Sequence, residues 1–386
     1  MADELALALI GCGGMMGAHV NGYKALWEAG LRDFRIVATC DIDAGRADDF
    51  AGRIEEFQGS WPTVYTDTEK MLAAESGLDA VDISVVHNQH HNVAIPCIEG
   101  GKHVTIEKPV AITCRSARAM IDAAAKAGRV LQTAENYRRS PEERAVNWAL
   151  KTGRIGEPRM IYWMDVTERL FHWGWREDRD LAGGGWSMDG GVHFADLFLY
   201  HIGAVKSLFA LSRAYTPVRY EKPDEMTGPI DVTVEDSTFA IVEFENGVTG
   251  QWTYTSAAPG TGFMQRAVYG TEGSLTWGQG IRLRSGEETS TEDLVAQHSA
   301  AMSEEERENF FPGGVTDTIA TELWNFMQAV RGEGKLEIDG VEGLRALALS
   351  MAIYESSALG RPVDISAIEN CEIENYQADL NQAAGF

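Results

Sequence analysis

The apolar run LALALI (5–10) leads directly into the turn GCGGMMG (11–17), and the turn leads into a helical pattern. A short buried strand, a glycine-rich turn and a helix, in that order, constrain the fold more than any other stretch. The same rhythm then repeats. β-like runs at 34–40 (FRIVATC), 80–86 (AVDISVV), 102–107 (KHVTIE) and 129–135 (RVLQTAE) alternate with helical stretches at 15–29, 43–57, 90–99 and 114–127. Near-continuous apolar strands separated by helices predict right-handed βαβ units and a parallel, doubly wound α/β sheet.

Past residue 135 the rhythm changes. A helix at 141–151 and a strand at 159–166 precede a loop rich in Trp and Gly, then a helix at 189–201. β-like segments at 205–212, 236–245, 248–255, 263–270, 273–277 and 280–284 follow with no helix between them. Such a run predicts an α+β domain with a large, open, mostly antiparallel sheet. Residues 285–315 are polar and acidic and read as a long loop, and two helices, 317–331 and 340–357, come near the end. The expected division is 1–135 for a dinucleotide-binding domain and 136–386 for a substrate-binding domain, and 386 residues exceed one typical core.

Acidic residues outnumber basic ones by 58 to 33, a net charge of −25. Such a surface repels nucleic acid and anionic membrane, so neither is expected as a partner. Five cysteines stand at 12, 40, 97, 114 and 371, widely spaced and with no CxxC. That argues against a disulfide scaffold or a structural zinc and for a reducing, cytoplasmic compartment. The run at 5–10 follows Asp3 and Glu4 rather than Lys or Arg and is too short for a signal peptide, and no apolar run reaches membrane-spanning length.

The glycine turn departs from Gly-x-Gly-x-x-Gly. Gly11 and Gly13 are in place, Met16 holds the third position, and Gly17 comes one residue late. Gly11 permits the tight turn, and Gly13 lets a pyrophosphate approach the backbone at a helix N-terminus. The backbone N–H groups of Met15 and Met16 are expected to face that pyrophosphate, with Gly17 taking over the close packing of helix on strand. Asp41 ends the second strand, where an acid accepts the ribose hydroxyls of NAD and opposes the extra phosphate of NADP. It follows Gly13 by 28 residues, against the usual ~20. NAD is the cofactor these features select, in a Rossmann domain.

In GGKHVTIEKPVA, Glu107 and Lys108 end a parallel strand, at the edge where doubly wound folds bind ligands. A lysine there can donate or relay a proton to a substrate hydroxyl; the plainer reading is a surface lysine paired with Glu107. In GGGWSMDGGVHFADLFLYHIG, Asp189, His193, Asp196 and Tyr200 fall on one helical stripe. Asp189 and His193, one turn apart, suit a base with a partner. They also suit two metal ligands, but no third or fourth ligand follows and no metal is expected. In RLFHWGWREDRD (169–180), Trp173 and Trp175 can stack on a sugar face and Arg176 can grip hydroxyls or an anion, or the tryptophans are simply packed.

These motifs, with ENYRRSP, GRIGEP and VYGTEGSL, resemble the Gfo/Idh/MocA family of sugar and cyclitol oxidoreductases over nearly the whole chain. The resemblance implies that Lys108 is the catalytic lysine and that Asp189 and His193 bind and deprotonate the substrate hydroxyl. It places His90 and Lys108 beside the cofactor, where His87 and Glu107 are also expected, and Tyr137 and Arg138 with Lys108, Asp189 and His193 around a small carbohydrate or cyclitol, which Trp175 and Arg176 are expected to line as well. It also implies a homodimer or homotetramer. Two departures from the family pattern stand out: Met16 in the glycine loop, and Val85-Val86-His87 where the family has Thr-Pro-Asn. The expected reaction is NAD-dependent oxidation of a secondary hydroxyl. The alternative is an NAD-assisted glycoside hydrolase that oxidises C3, eliminates, adds water and re-reduces. A non-enzymatic binder on the same fold would be expected to lack Lys108 or His193, and both are present.

Overall fold

A computed structural model describes residues 4–386. In chain order the first elements are β1 (Leu5–Ile10), α1 (Gly14–Glu28), β2 (Phe34–Cys40), α2 (Ala44–Gln58), β3 (Thr63–Tyr65), α3 (Thr68–Ala74), β4 (Ala80–Ile83), α4 (His90–Glu99), β5 (His103–Glu107), α5 (Cys114–Ala127) and β6 (Leu131–Ala134). The six strands form one parallel sheet in the order β3-β2-β1-β4-β5-β6, the doubly wound arrangement that the alternation predicts. The order reverses at β1, so the turns that follow β1 and β4 lie side by side. Helix starts match their caps. Asp43 accepts N–H bonds from Gly45 and Arg46 to open α2, and Asp67 accepts one from Lys70 to open α3. By contrast, α1 starts at Gly13 with no side-chain cap and no acid in its first turn.

The chain continues as α6 (Pro141–Lys151), β7 (Pro158–Val166), α7 (Arg179–Ala182), α8 (Trp186–Asp189), α9 (Gly191–His201), β8 (Val205–Arg213), β9 (Val218–Lys222) and β10 (Thr227–Asp231). Next come β11 (Ser237–Phe244), β12 (Thr249–Thr255), β13 (Phe263–Gly270), β14 (Gly273–Thr276), β15 (Gly280–Leu283), β16 (Glu288–Thr289), α10 (Thr291–Ala301) and α11 (Glu304–Phe310). The last elements are α12 (Thr318–Arg331), α13 (Gly340–Leu359), β17 (Val363–Asp364), α14 (Ile365–Glu369) and α15 (Ala378–Ala383). Nine strands form a second sheet in the order β16-β15-β14-β13-β7-β12-β11-β8-β17. Its pairs are antiparallel except β7 with β12. A separate hairpin joins β9 and β10.

One face of this sheet carries α9. Phe194 and Phe198 pack on Trp163 of β7 with ring centroids 4.9 and 5.6 Å apart, and Phe198 lies 5.2 Å from Trp252 of β12. Full burial of such rings contributes roughly 1.5–3 kcal/mol each, with edge-to-face geometry adding to it. The other face is open: Phe209, Leu211, Phe239 and Ile241 are each more than a third exposed.

One expectation is corrected. The stretch 285–315 is not a long loop but holds β16, α10 and α11. Its helices are hard to read because they bury so little; Leu294 and His298 are the buried residues of α10, and α11 buries none. The legible signal is the Ser303–Glu306 capping box that opens α11. The chain also forms two compact units, each drawn from several segments. One unit comprises the residues up to Ala111, Ser116–Ser140 and Met302–Leu344, and the other comprises Ile112–Arg115, Pro141–Ala301 and Arg345–Phe386. The return of 302–344 to the first unit has an apolar cause. Leu323, Phe326 and Met327 of α12 join Leu7, Tyr23, Leu26 and Phe34 in a single buried cluster. A covering helix so distant in sequence leaves no mark in the βαβ pattern.

Candidate active site

The glycine turn is built around one backbone angle. Gly11 has φ +88°, and a Cβ there would sit 2.3 Å from the Ser84 carbonyl oxygen, so no other residue fits. The Cys12 N–H donates to Asp41 Oδ2 at 2.7 Å, and the Asp43 N–H donates to Asp41 Oδ1 at 2.8 Å. The Asp41 carboxylate is thereby fixed beside the turn. A Cβ on Gly13 or Gly14 would meet no atom within 4 Å, so the start of α1 is open as well as uncapped. A bare helix N-terminus beside a fixed acid fits a dinucleotide, with the pyrophosphate on α1 and the ribose hydroxyls on Asp41.

The role of Gly17 differs from expectation. The Met16 side chain is wholly buried in the cluster with Leu7, Leu9 and Val20, while Gly13, Gly14 and Met15 are at least partly exposed. Gly17 does not serve the first strand. A Cβ there would lie 3.3 Å from the Arg53 guanidinium of α2, which donates to the Gly17 carbonyl at 3.1 Å. Gly17 makes room for α2, while Met16 supplies the packing of α1 on the sheet.

Lys108 follows β5 and is half-buried, and its N–H donates to Glu107 Oε2 at 3.1 Å. His90, expected beside the cofactor, is wholly buried, with Nε2 3.2 Å from the Val85 carbonyl and Nδ1 3.4 Å from that of Val110. Burial lowers its pKa below the ordinary value, against the pull of those carbonyls. His90 lies between the segment after β4 and the segment after Lys108, each ring nitrogen beside a carbonyl of one of them. His87 is also buried and sits edge-on to His90, with centroids 5.6 Å apart. Tyr137 is exposed, its N–H donating to Glu135 Oε1 at 3.0 Å, and Arg138 is buried. No group of three or more His, Cys, Asp or Glu among the described residues is arranged to hold a metal ion.

His19 is the residue that sequence reasoning misses here. It lies wholly buried in the second turn of α1. Its Nδ1 is 2.8 Å from Asp82 Oδ2 on β4, and its Nε2 is 2.9 Å from Glu107 Oε1 at the end of β5. The Tyr23 hydroxyl donates to the same Asp82 oxygen at 3.1 Å. Glu322 of α12 completes the cluster, its Oε1 3.9 Å from His19 Nε2 and its Oε2 buried without a hydrogen-bond partner. Burial pushes the Glu322 carboxyl well above the usual carboxylate range; His19 and Arg139 oppose the rise, and Glu107 and Glu135 add to it. The only advance signal for His19 is its place two residues after the late glycine.

In the second unit the expected single helix at 189–201 is two, α8 and α9, with Gly190 between them. Asp189 ends α8 and His193 lies in the first turn of α9, both buried. Arg176 Nε donates to Asp189 Oδ1 at 3.1 Å. The Arg176 guanidinium also lies over Trp175 and Trp173, 4.6 and 5.4 Å from their ring centroids, and Arg169 lies 5.0 Å from Trp173. Buried Glu177 anchors this loop through Arg219 at 3.2 Å, Arg169 at 3.1 Å and the Trp173 N–H at 2.8 Å. Glu235, which no motif marks, holds α8 in place. It accepts from the N–H groups of Gly185 and Ser187 at 2.8 and 3.0 Å and from the Tyr354 hydroxyl at 2.9 Å. Chemically, the first unit offers a dinucleotide cradle and a lysine at the carboxyl edge of its sheet. The second offers an imidazole one turn after a carboxylate that an arginine already holds.

Comparisons with known proteins agree with this division of labour. Residues 5–135 match the oxidoreductase family described by its NAD-binding Rossmann fold, and residues 148–365 match the C-terminal alpha/beta domain of the same family. NAD is therefore the cofactor of the first unit. The 1,5-anhydro-D-fructose reductase of Ensifer adhaerens is 30% identical over 76% of this chain and 82% of its own. The levoglucosan dehydrogenase of Pseudarthrobacter phenanthrenivorans is 26% identical over 95% of this chain and 99% of its own. A solved levoglucosan dehydrogenase in complex with NADH shares the fold, with a TM-score of 0.74 at 22% identity, over 94% of this chain and 99% of its own.

The raised Glu322 carboxyl gives a signed prediction. Its proton is held more tightly folded than unfolded, so its contribution is fully present below the unfolded value, near 4.5, and is lost as pH rises toward the folded one. Glu322→Gln carries no such proton. The stability of the variant relative to wild type should grow above pH 4.5 by up to about 1.4 kcal/mol per pH unit until the folded value is passed. Urea unfolding of both proteins from pH 4 to 8 checks it, and a pH-independent difference would contradict it.

Proposed function

Because the chain belongs to the Gfo/Idh/MocA family of oxidoreductases and carries an NAD-binding Rossmann domain, we propose that it moves a hydride between a secondary hydroxyl of a sugar, glycoside or cyclitol and NAD. The substrate class draws support from the relatives, whose names specify an anhydro-sugar reductase and a levoglucosan dehydrogenase. The observation that carries the reading is the engagement of Asp189 by Arg176 one turn before buried His193.

Bound NAD supplies the acceptor for the hydrogen on the carbinol carbon. His193 takes the hydroxyl proton on its imidazole as the C–H bond breaks, leaving a carbonyl. Asp189 has one oxygen committed to Arg176, so it orients while the imidazole is the base. Lys108 Nζ supports the substrate oxygen by a hydrogen bond as its proton leaves for His193. Glu107 and His87 border the nicotinamide side, and Tyr137, Arg138, Trp175 and Arg176 border the sugar. Hydride transfer demands that the two carbons approach within about 3–3.5 Å, which sets how flat the sugar must lie.

The apolar outer face of the large sheet supports a homodimer or homotetramer, since Phe209, Leu211, Phe239 and Ile241 would otherwise face water. Sedimentation should give a mass of two or four chains; a monomer at micromolar concentration would contradict it. Four of the five cysteines are buried, which suits a cytoplasmic setting.

A panel of sugars and glycosides with NAD, read at once for NADH and for released aglycone, tests the reaction. NADH should accumulate in step with product, and aglycone without NADH would indicate NAD-assisted hydrolysis instead. On the best substrate, Lys108→Ala and His193→Ala should each lower kcat by roughly 10²–10⁴-fold, while NAD at ~100 Kd still stabilises each variant by ~2.7 kcal/mol. Near wild-type turnover in either variant would remove its assigned role.

A further inference from the structure

The carboxylate cage around His19 stands outside every role assigned above. Both ring nitrogens of His19 face carboxylate oxygens, Asp82 at 2.8 Å and Glu107 at 2.9 Å. A neutral imidazole has one N–H and one lone pair, and a lone pair set against an ionised carboxylate is repelled. The geometry therefore asks for two N–H donors, a buried imidazolium between two carboxylates. The elements around it agree. On α1 the Tyr23 hydroxyl adds a donor to Asp82, and on α12 Glu322 stands 3.9 Å from Nε2. Arg139 and Glu135 act on Glu322 from just after β6, the arginine favouring its charge and the glutamate opposing it. Burial alone would depress the His19 pKa, but Asp82 and Glu107 lift it well above the ordinary value. Thr105 and Gln132 close the cage as neutral partners, the threonine hydroxyl donating to Gln132 at 2.8 Å and Gln132 donating to the Glu322 carbonyl at 3.1 Å.

The two oxygens of Glu107 are divided between neighbours. Oε1 faces His19, and Oε2 accepts the Lys108 N–H at 3.1 Å. His19 stands on the same helix whose open N-terminus forms the dinucleotide cradle. We propose that His19, as an imidazolium, is a positioning residue for Lys108: by holding Glu107 Oε1 it fixes the carboxylate whose other oxygen sets the lysine backbone, so that the cradle helix and the lysine keep one registration. The inference rests on the reading of Lys108 as a catalytic group, and its first test does not.

That test uses the whole protein without added cofactor, labelled with ¹⁵N-histidine, and His19→Gln to assign the resonance. Both His19 nitrogens should carry protons from pH 6 to 9. A neutral tautomer in that range would overturn the imidazolium, whatever Lys108 does. The second test is a cycle of His19→Gln, Glu107→Gln and the double variant on the panel's best substrate with saturating NAD. Each single change should lower kcat on the order of 10- to 100-fold, the cost of a small misplacement. The double variant should be no worse than the poorer single, because one chain of contacts is cut twice. The NAD affinity of His19→Gln, measured by calorimetry, should stay within about threefold, since no residue assigned to the cofactor is changed. Losses that multiply in the double variant, or an NAD affinity that falls as far as kcat, would overturn the positioning role. If Lys108→Ala keeps full turnover while His19 is doubly protonated, the lysine reading fails and the cage remains.

Discussion

The approach of Gly11 to the Ser84 carbonyl is the contact on which the first unit depends. A positive φ at that point turns the chain within one residue of leaving β1, and any side chain would strike the neighbouring strand's exit 2.3 Å away. Because the turn is that tight, α1 begins almost at once and begins uncapped. The same turn presents the Cys12 N–H to Asp41, which fixes that carboxylate beside the open start of α1. It also fixes the phase of α1, and the phase decides which residues meet the ends of β4 and β5. His19 is one of them, and so the cradle and the Glu107–Lys108 segment share a buried charge contact.

The second unit solves a different problem. It has to hold an acid and an imidazole in a buried place, and burial of charge is costly unless each group is paired. Asp189 has Arg176; Glu177 has two arginines and a backbone N–H; Glu235 has two backbone N–H groups and a tyrosine hydroxyl. These pairs fix the loop and the short helix α8, while the aromatic packing of α9 on Trp163 and Trp252 fixes the helix that carries His193. The sheet thus backs a set of loop and helix ends, and its far side leaves Phe209, Leu211, Phe239 and Ile241 exposed.

What the sequence discloses follows from the range of the forces involved. Local signals are legible: the strand–turn–helix at 5–28, the acid at Asp41, the Glu107–Lys108 pair at a strand end, and the cap at Asp43. Contacts between distant residues are not. Asp82 and Glu107 lie 63 and 88 residues from His19, and α12 returns to α1 from almost 300 residues away. Glu235 reaches Gly185 across 50 residues with no motif at its own end to announce it. Substitution at the third glycine position looks like a defect in the sequence, yet Met16 is a core residue and Gly17 serves α2. His90 is a motif position that the fold buries, its ring nitrogens beside the carbonyls of Val85 and Val110, which no local pattern shows. The parallel pairing of β7 with β12 inside an otherwise antiparallel sheet also arises from topology alone.

The central claim is that a carbon-bound hydrogen of the sugar passes to NAD and stays there. Hexosides deuterated at their carbinol carbons, incubated with unlabelled NAD and the whole protein, read it directly through the mass of the NADH formed. The account predicts one deuterium in NADH for each ketosugar produced. Product that forms while the nicotinamide stays unlabelled, or no product from any sugar, glycoside or cyclitol, would contradict it.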